Sequence, residues 1–91
     1  MSEQKNMGYS TCKLDSYDEL RDGIEMGLDV EFFLYNVRYD ISWENDNCVF
    51  IAVCPDGDAS YYKDADDLLN NHKINGVPIG KLWKDIDLYR M

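Results

Sequence analysis

Positive charge is scarce in this chain. Nine lysines and arginines stand against 18 aspartates and glutamates, a formal net charge of −9 over 91 residues. A protein that binds nucleic acid directly needs clustered Lys and Arg for the phosphates, so that class is set aside. Histidine occurs once, as His72. The three cysteines, Cys12, Cys48 and Cys54, show no CxxC spacing. Neither a zinc site nor a disulfide framework can be assembled from that set. The cysteines read instead as reduced structural thiols. Long apolar runs are missing as well. The longest, Cys48–Cys54, has seven residues, against the roughly 20 of a membrane helix. Residues 1–14 lack the apolar stretch of a secretory signal, so the expected compartment is the cytoplasm. Neither GxGxxG nor a Walker pattern occurs, which removes the common phosphate loops.

What is present suits a small folded domain. Hydrophobic residues make up 45% of the chain and aromatic residues 13%, enough for a core. Domains usually run to about 100–150 residues, so one domain is expected over 14–91. Residues 1–13 have little periodicity and read as a flexible N-terminal tail or edge segment.

Periodicity assigns the elements. Ser16 is a candidate N-cap, with Glu19 three residues on. Tyr17, Leu20 and Ile24 follow at helical spacing, and Gly27 ends the helix. The period then becomes two. Val30, Phe32 and Leu34 alternate with Asp29, Glu31 and Phe33. Val37, Tyr39, Ile41 and Trp43 alternate with Arg38, Asp40, Ser42 and Glu44. Cys48–Cys54 is apolar on both faces and is expected to be the central, most buried strand. Pro55-Asp56-Gly57-Asp58 reads as a turn, and Ala59–Lys63 as a short fourth strand. Asp64 reads as an N-cap for a helix through Asn71. After an Asn75-Gly76 turn, Pro78 is expected to open a last helix at its first position, with Ile79, Leu82, Trp83 and Ile86 on one face. The expected fold is α+β: a four-stranded antiparallel meander with one N-terminal and two C-terminal helices, in the order α-β-β-β-β-α-α.

No catalytic set emerges. His72 falls at a helix end, where a surface imidazole suits the dipole, and no nucleophile is placed beside it. Asp56, Asp58, Asp64, Asp66 and Asp67 form an acidic stretch. It lacks the order and the final Glu of a calcium loop, so turn and helix N-terminal preferences account for it. The chain is therefore read as a non-enzyme, with no metal and no cofactor.

The charge is uneven. Residues 1–14 sum to +1, 15–46 to −8, 47–67 to −4 and 68–91 to +2. On the first helix Asp15, Asp18, Asp22 and Glu25 recur every three or four residues, opposite Leu20 and Ile24. The strands add outward Asp29, Glu31, Asp40 and Glu44. If helix and strands are neighbours, these acids make one broad surface. It either keeps a small protein soluble or complements a basic groove on a protein partner. Phe33 and Tyr35 share the outward parity. They are exposed anchors of an interface, or core if a helix covers that face. The candidate partner-binding set is Asp18, Asp22, Glu25, Asp29, Glu31, Phe33 and Tyr35.

The run from Tyr61 to Gly76, then Ile79, Leu82-Trp83 and Asp85-Ile86, resembles a group of small uncharacterised proteins of Gram-positive bacteria, their phages and mobile elements. The opening from Asp18 to Tyr35 shares the likeness, which covers about three quarters of the chain. Members typically carry Ser or Thr before the last helix, where this chain has Pro78. The resemblance implies the α+β meander. It also implies a small acidic inhibitor of host defence, anti-CRISPR-like, acting in the host cytoplasm on a protein such as a CRISPR nuclease. The competing expectation is a bacterial accessory or regulatory protein-interaction domain that binds through a sheet edge.

Overall fold

The computed structural model describes residues 10–55 and 57–91. Among them a short strand β1 (Cys12–Lys13) precedes helix α1 (Tyr17–Glu25). Strands β2 (Val30–Leu34), β3 (Val37–Asn45), β4 (Cys48–Val53) and β5 (Ala59–Tyr62) follow, then helix α2 (Ala65–Asn71). A small hairpin of β6 (Lys73–Ile74) and β7 (Val77–Pro78) leads into a 3-10 helix (Ile79–Asp85), and β8 (Asp87–Arg90) closes the chain. The α+β class is as the periodicity implies. Of the expected 1–13 tail, residues 1–9 lie outside the described residues, while Cys12 and Lys13 pair with β8.

Local chemistry sets the two α-helices. Ser16 has extended backbone, and its hydroxyl accepts the Glu19 N–H at 3.1 Å. The Glu19 carboxylate reaches back to the Asp15 N–H at 2.7 Å. Helix α2 repeats the device: Asp64 accepts the Asp67 N–H at 2.8 Å, and Asp67 accepts the Lys63 N–H at 3.1 Å. Each arrangement satisfies one donor that the helix start leaves open and ties down the residue before the cap. At the end of α1, Gly27 stands at φ 83°, its N–H on the Ile24 carbonyl, with the Leu28 N–H on Gly23. This is a Schellman ending, which needs a left-handed residue and so favours glycine.

The four-stranded meander is not the whole sheet. Six strands pair in the order β1-β8-β2-β3-β4-β5, every pair antiparallel. The expected final helix is a 3-10 helix that begins at Ile79, and Pro78 ends β7 rather than occupying a first helical position. Ile86 lies beyond that helix. The last four-residue strand then slots between β1 and β2. This moves the most buried strand: β2 is buried at every position but Glu31, whereas β4, one place from the sheet edge, is buried at only two.

One face of the sheet carries the core. Leu20 and Ile24 of α1, and Leu68 and Leu69 of α2, pack with Ile79 and Ile86 onto Val30, Phe32, Leu34, Ile41, Val49 and Ile51. Phe32 stacks on Tyr39 with ring centroids 5.4 Å apart. The Trp43 indole N–H donates to the Ile24 carbonyl at 2.7 Å, fastening α1 to the sheet. Among the described residues no helix lies over the opposite face, which carries cross-strand pairs such as Phe50 against Tyr61.

Candidate functional site

The sheet divides the predicted acidic surface in two. Alternation along a strand sends successive side chains to opposite faces. Val30 and Phe32 join the core that holds Leu20 and Ile24, so Glu31 and Phe33 project to the opposite face. Asp18 and Asp22 stand exposed on α1, on the helical side of the sheet. The single continuous surface expected of helix and hairpin is therefore two patches.

On the helical side Arg21 sits among the acids. Its Nε and Nη2 donate to the two Asp66 oxygens at 2.8 and 3.1 Å, and its Nη1 to Asp22 at 3.4 Å. The fork holds the Asp66 carboxyl below its ordinary range and raises the guanidinium further. Glu25 has a structural task. Its carboxylate accepts the Ala65 N–H at 3.0 Å, at the start of α2, where negative charge suits the helix end. Asp18 and Asp22 remain as outward charges of α1, with Asp15 exposed just before its cap.

The second patch is tighter. Glu31 and Asp40 are direct cross-strand partners, a like-charge opposition that is unfavourable by itself. Oxygens of Asp29, Glu31 and Asp40 all lie within 4.8 Å of one another. Glu31, only 14% exposed at its side chain, is compensated by Arg38 at 2.8 Å and by Arg90 at 3.9 Å. Asp40 is left with Asp29. Burial, a hydrogen bond to Asp29 and the charges of Asp29 and Glu31 push its carboxyl up to about 7, against the pull of Arg38. The three carboxylates supply the oxygen donors that a hard cation uses. Two arginines already answer Glu31, however, so a proton held by Asp40 is the simpler balance. Of the acidic stretch 56–67 considered from sequence, Asp56 lies outside the described residues. Asp64 and Asp67 are spent on capping α2, and Asp66 on Arg21.

The two aromatic candidates part company. Phe33 is 9% exposed and packs edge-on to Tyr89 of β8 at 6.5 Å, so it is not an exposed anchor. Among the described residues it is the unexpected strand, not a helix, that packs against it. Tyr35 is 45% exposed and its hydroxyl donates to Asp85 at 2.6 Å. His72 is half-buried rather than a surface imidazole. It caps the end of α2, lies 2.9 Å from the Tyr62 hydroxyl through Nδ1, and is held below its ordinary pKa by burial.

From sequence Asp40 was an outward acid alongside Asp29 and Glu31 but not a member of the partner-binding set. The signal was there: a two-residue turn at Tyr35-Asn36 fixes a register that sets 31 against 40. No family model, curated protein or solved structure matches this chain significantly. No helix among the described residues is long and apolar enough to cross a membrane.

Proposed function

We propose that this chain is a small acidic binding protein that occupies a basic, nucleic-acid-binding surface on a protein partner. One observation carries the reading: within 15–46, where ten acids meet two arginines, Asp18 and Asp22 of α1 and Asp15 just before its cap are all exposed. A rigid row of carboxylates competes with phosphates for the same Lys and Arg and speeds encounter with a basic groove. Joined to the resemblance drawn from the sequence, it gives the concrete form: an inhibitor of a bacterial defence nuclease, anti-CRISPR-like, encoded by a phage or mobile element and acting in the host cytoplasm. Such a role asks for no catalytic step and no cofactor from this chain.

Asp18 and Asp22 are the first residues to change. Glu25 is a poor test residue because its reversal would also strip the cap from α2. In a DNA-cleavage assay with guide-loaded CRISPR nucleases, the wild-type chain is expected to block cleavage, and less so as salt rises from low to physiological. The double reversal Asp18→Lys, Asp22→Lys is expected to restore cleavage with an unchanged circular dichroism spectrum. Inhibition that survives the reversal removes α1 docking. Salt-insensitive binding of a partner supports the accessory-domain reading. That reading draws on Tyr61, 58% exposed on the edge strand β5 beside Phe50, since strand addition at an edge relies on backbone hydrogen bonds.

A further inference from the structure

Residues 68–91 sum to +2, and two of their four bases, Lys81 and Lys84, line one groove. The groove runs between the start of α1, the end of α2 and the 3-10 helix. Its volume is about 660 Å³, and Tyr17, Asn70, Gly80, Lys81, Trp83 and Lys84 line it. We infer that it binds a small planar anion of the nucleoside monophosphate type.

The local helix type creates the arrangement. A 3-10 helix has three residues per turn, so residues i and i+3 eclipse. Lys81 and Lys84 therefore stack on one row, and Gly80 and Trp83 on the adjoining row. Both lysines are exposed, and among the described residues neither is in an ion pair. In a chain with twice as many acids as bases, two uncommitted cations on one groove are a pronounced local reversal of sign.

The aromatic wall supplies the rest. The Lys84 ammonium lies 5.7 Å from the Trp83 ring centroid, so charge and ring face share one space. Tyr17 closes the other side. Gly80 keeps the floor low: a Cβ there would lie 2.9 Å from the Leu69 carbonyl oxygen and 3.1 Å from Tyr17 Cε1. Of the two acids that act on Tyr17, Asp66 is taken up by the Arg21 fork, and Asp18 stands exposed on α1. The groove thus offers point charges for a phosphate, flat apolar faces for a base and, at its rim, the Asn70 amide as donor and acceptor. Its volume falls in the range of small-ligand pockets, about 300–1,000 Å³. A simple anion would use only the lysines, and an uncharged ring only the wall. A ring joined to a phosphate uses both.

Titration with adenosine monophosphate, adenosine and inorganic phosphate, followed by amide and indole NMR shifts, tests this. The monophosphate is expected to give saturable shifts centred on Gly80, Asn70 and the Trp83 indole at low salt. Adenosine and phosphate alone are expected to bind at least about tenfold more weakly. The double variant Lys81→Glu, Lys84→Glu is expected to keep the spectrum of the fold and weaken the monophosphate by about tenfold or more, the loss of two exposed charge contacts. Three results would overturn the inference: no shifts at millimolar ligand, phosphate binding as tightly as the monophosphate, or affinity unchanged in the double variant.

Discussion

Asp40 sits where its charge is hardest to keep. Asp29 and Glu31 face it from the loop and from β2, Arg38 lies on its own strand, and the Cys54 thiol, itself raised by burial and by Asp40, is the neighbour from the end of β4. Its carboxyl is raised from 3.8 to about 7, so the folded chain holds a proton that the unfolded chain has released. Stability from that proton is complete below the unfolded value and is lost as pH rises through about 7. His72 acts in the opposite sense. Its lowered pKa gives stability that is present above its ordinary value and lost as pH falls. The difference between wild type and Asp40→Asn isolates the carboxyl. Thermal melts at pH 5 and pH 8 are expected to show the Asn variant gaining on the wild type at pH 8 and losing that advantage at pH 5. An equal offset at both values would mean that Asp40 is ionised throughout.

At the scale of the element, legibility followed range. Both α-helix starts were readable because a cap is a four-residue event: Ser16 with Glu19, and Asp64 with Asp67. Ser16→Ala and Asp64→Ala are each expected to cost about 1 kcal/mol in urea unfolding. Glu25→Ala should behave like a cap lesion of α2, although it lies 40 residues from Ala65. A double variant with Asp64→Ala is then expected to cost less than the sum of the two, because both changes strip one helix start. The C-terminal elements were misread for a physical reason. Ile79, Leu82, Trp83 and Ile86 fit a 3.6-residue period, yet a 3-10 turn also puts Ile79 and Leu82 together. Ile86 is buried from the linker that follows. In β8, Asp87-Leu88-Tyr89-Arg90 alternates over only four residues, too few to reveal a strand. Its burial depends on β1 and β2, which sequence spacing alone does not bring alongside.

At the scale of the molecule, the acids of the candidate site were legible one by one but not their division between two faces. That division depends on which side of the sheet α1 covers. The C-terminal strand bears on the same question, since it hides Phe33 and steadies Glu31. Strand β8 holds β1 through Cys12↔Leu88 and a Lys13–Asp87 ion pair at 2.8 Å. It holds β2 through Phe32↔Leu88, covers Phe33 with Tyr89, and brings Arg90 towards Glu31. A chain ending at Ile86 loses all of these at once: β2 loses its neighbour strand, β1 loses its pairing strand, and Phe33 loses Tyr89. Burying one large apolar side chain is worth about 1.5–3 kcal/mol, and at least Leu88 and Phe33 are affected. Domains of this size have a total margin of about 5–15 kcal/mol, so the remaining margin is small. The truncated chain is expected to lose the sharp unfolding transition and the dispersed NMR spectrum of the full chain. The milder Leu88→Ala is expected to keep the fold and lower its stability by about 2–3 kcal/mol. A truncated chain that melts cooperatively at the wild-type temperature would show that β2 to β5 stand as a sheet without their C-terminal neighbour.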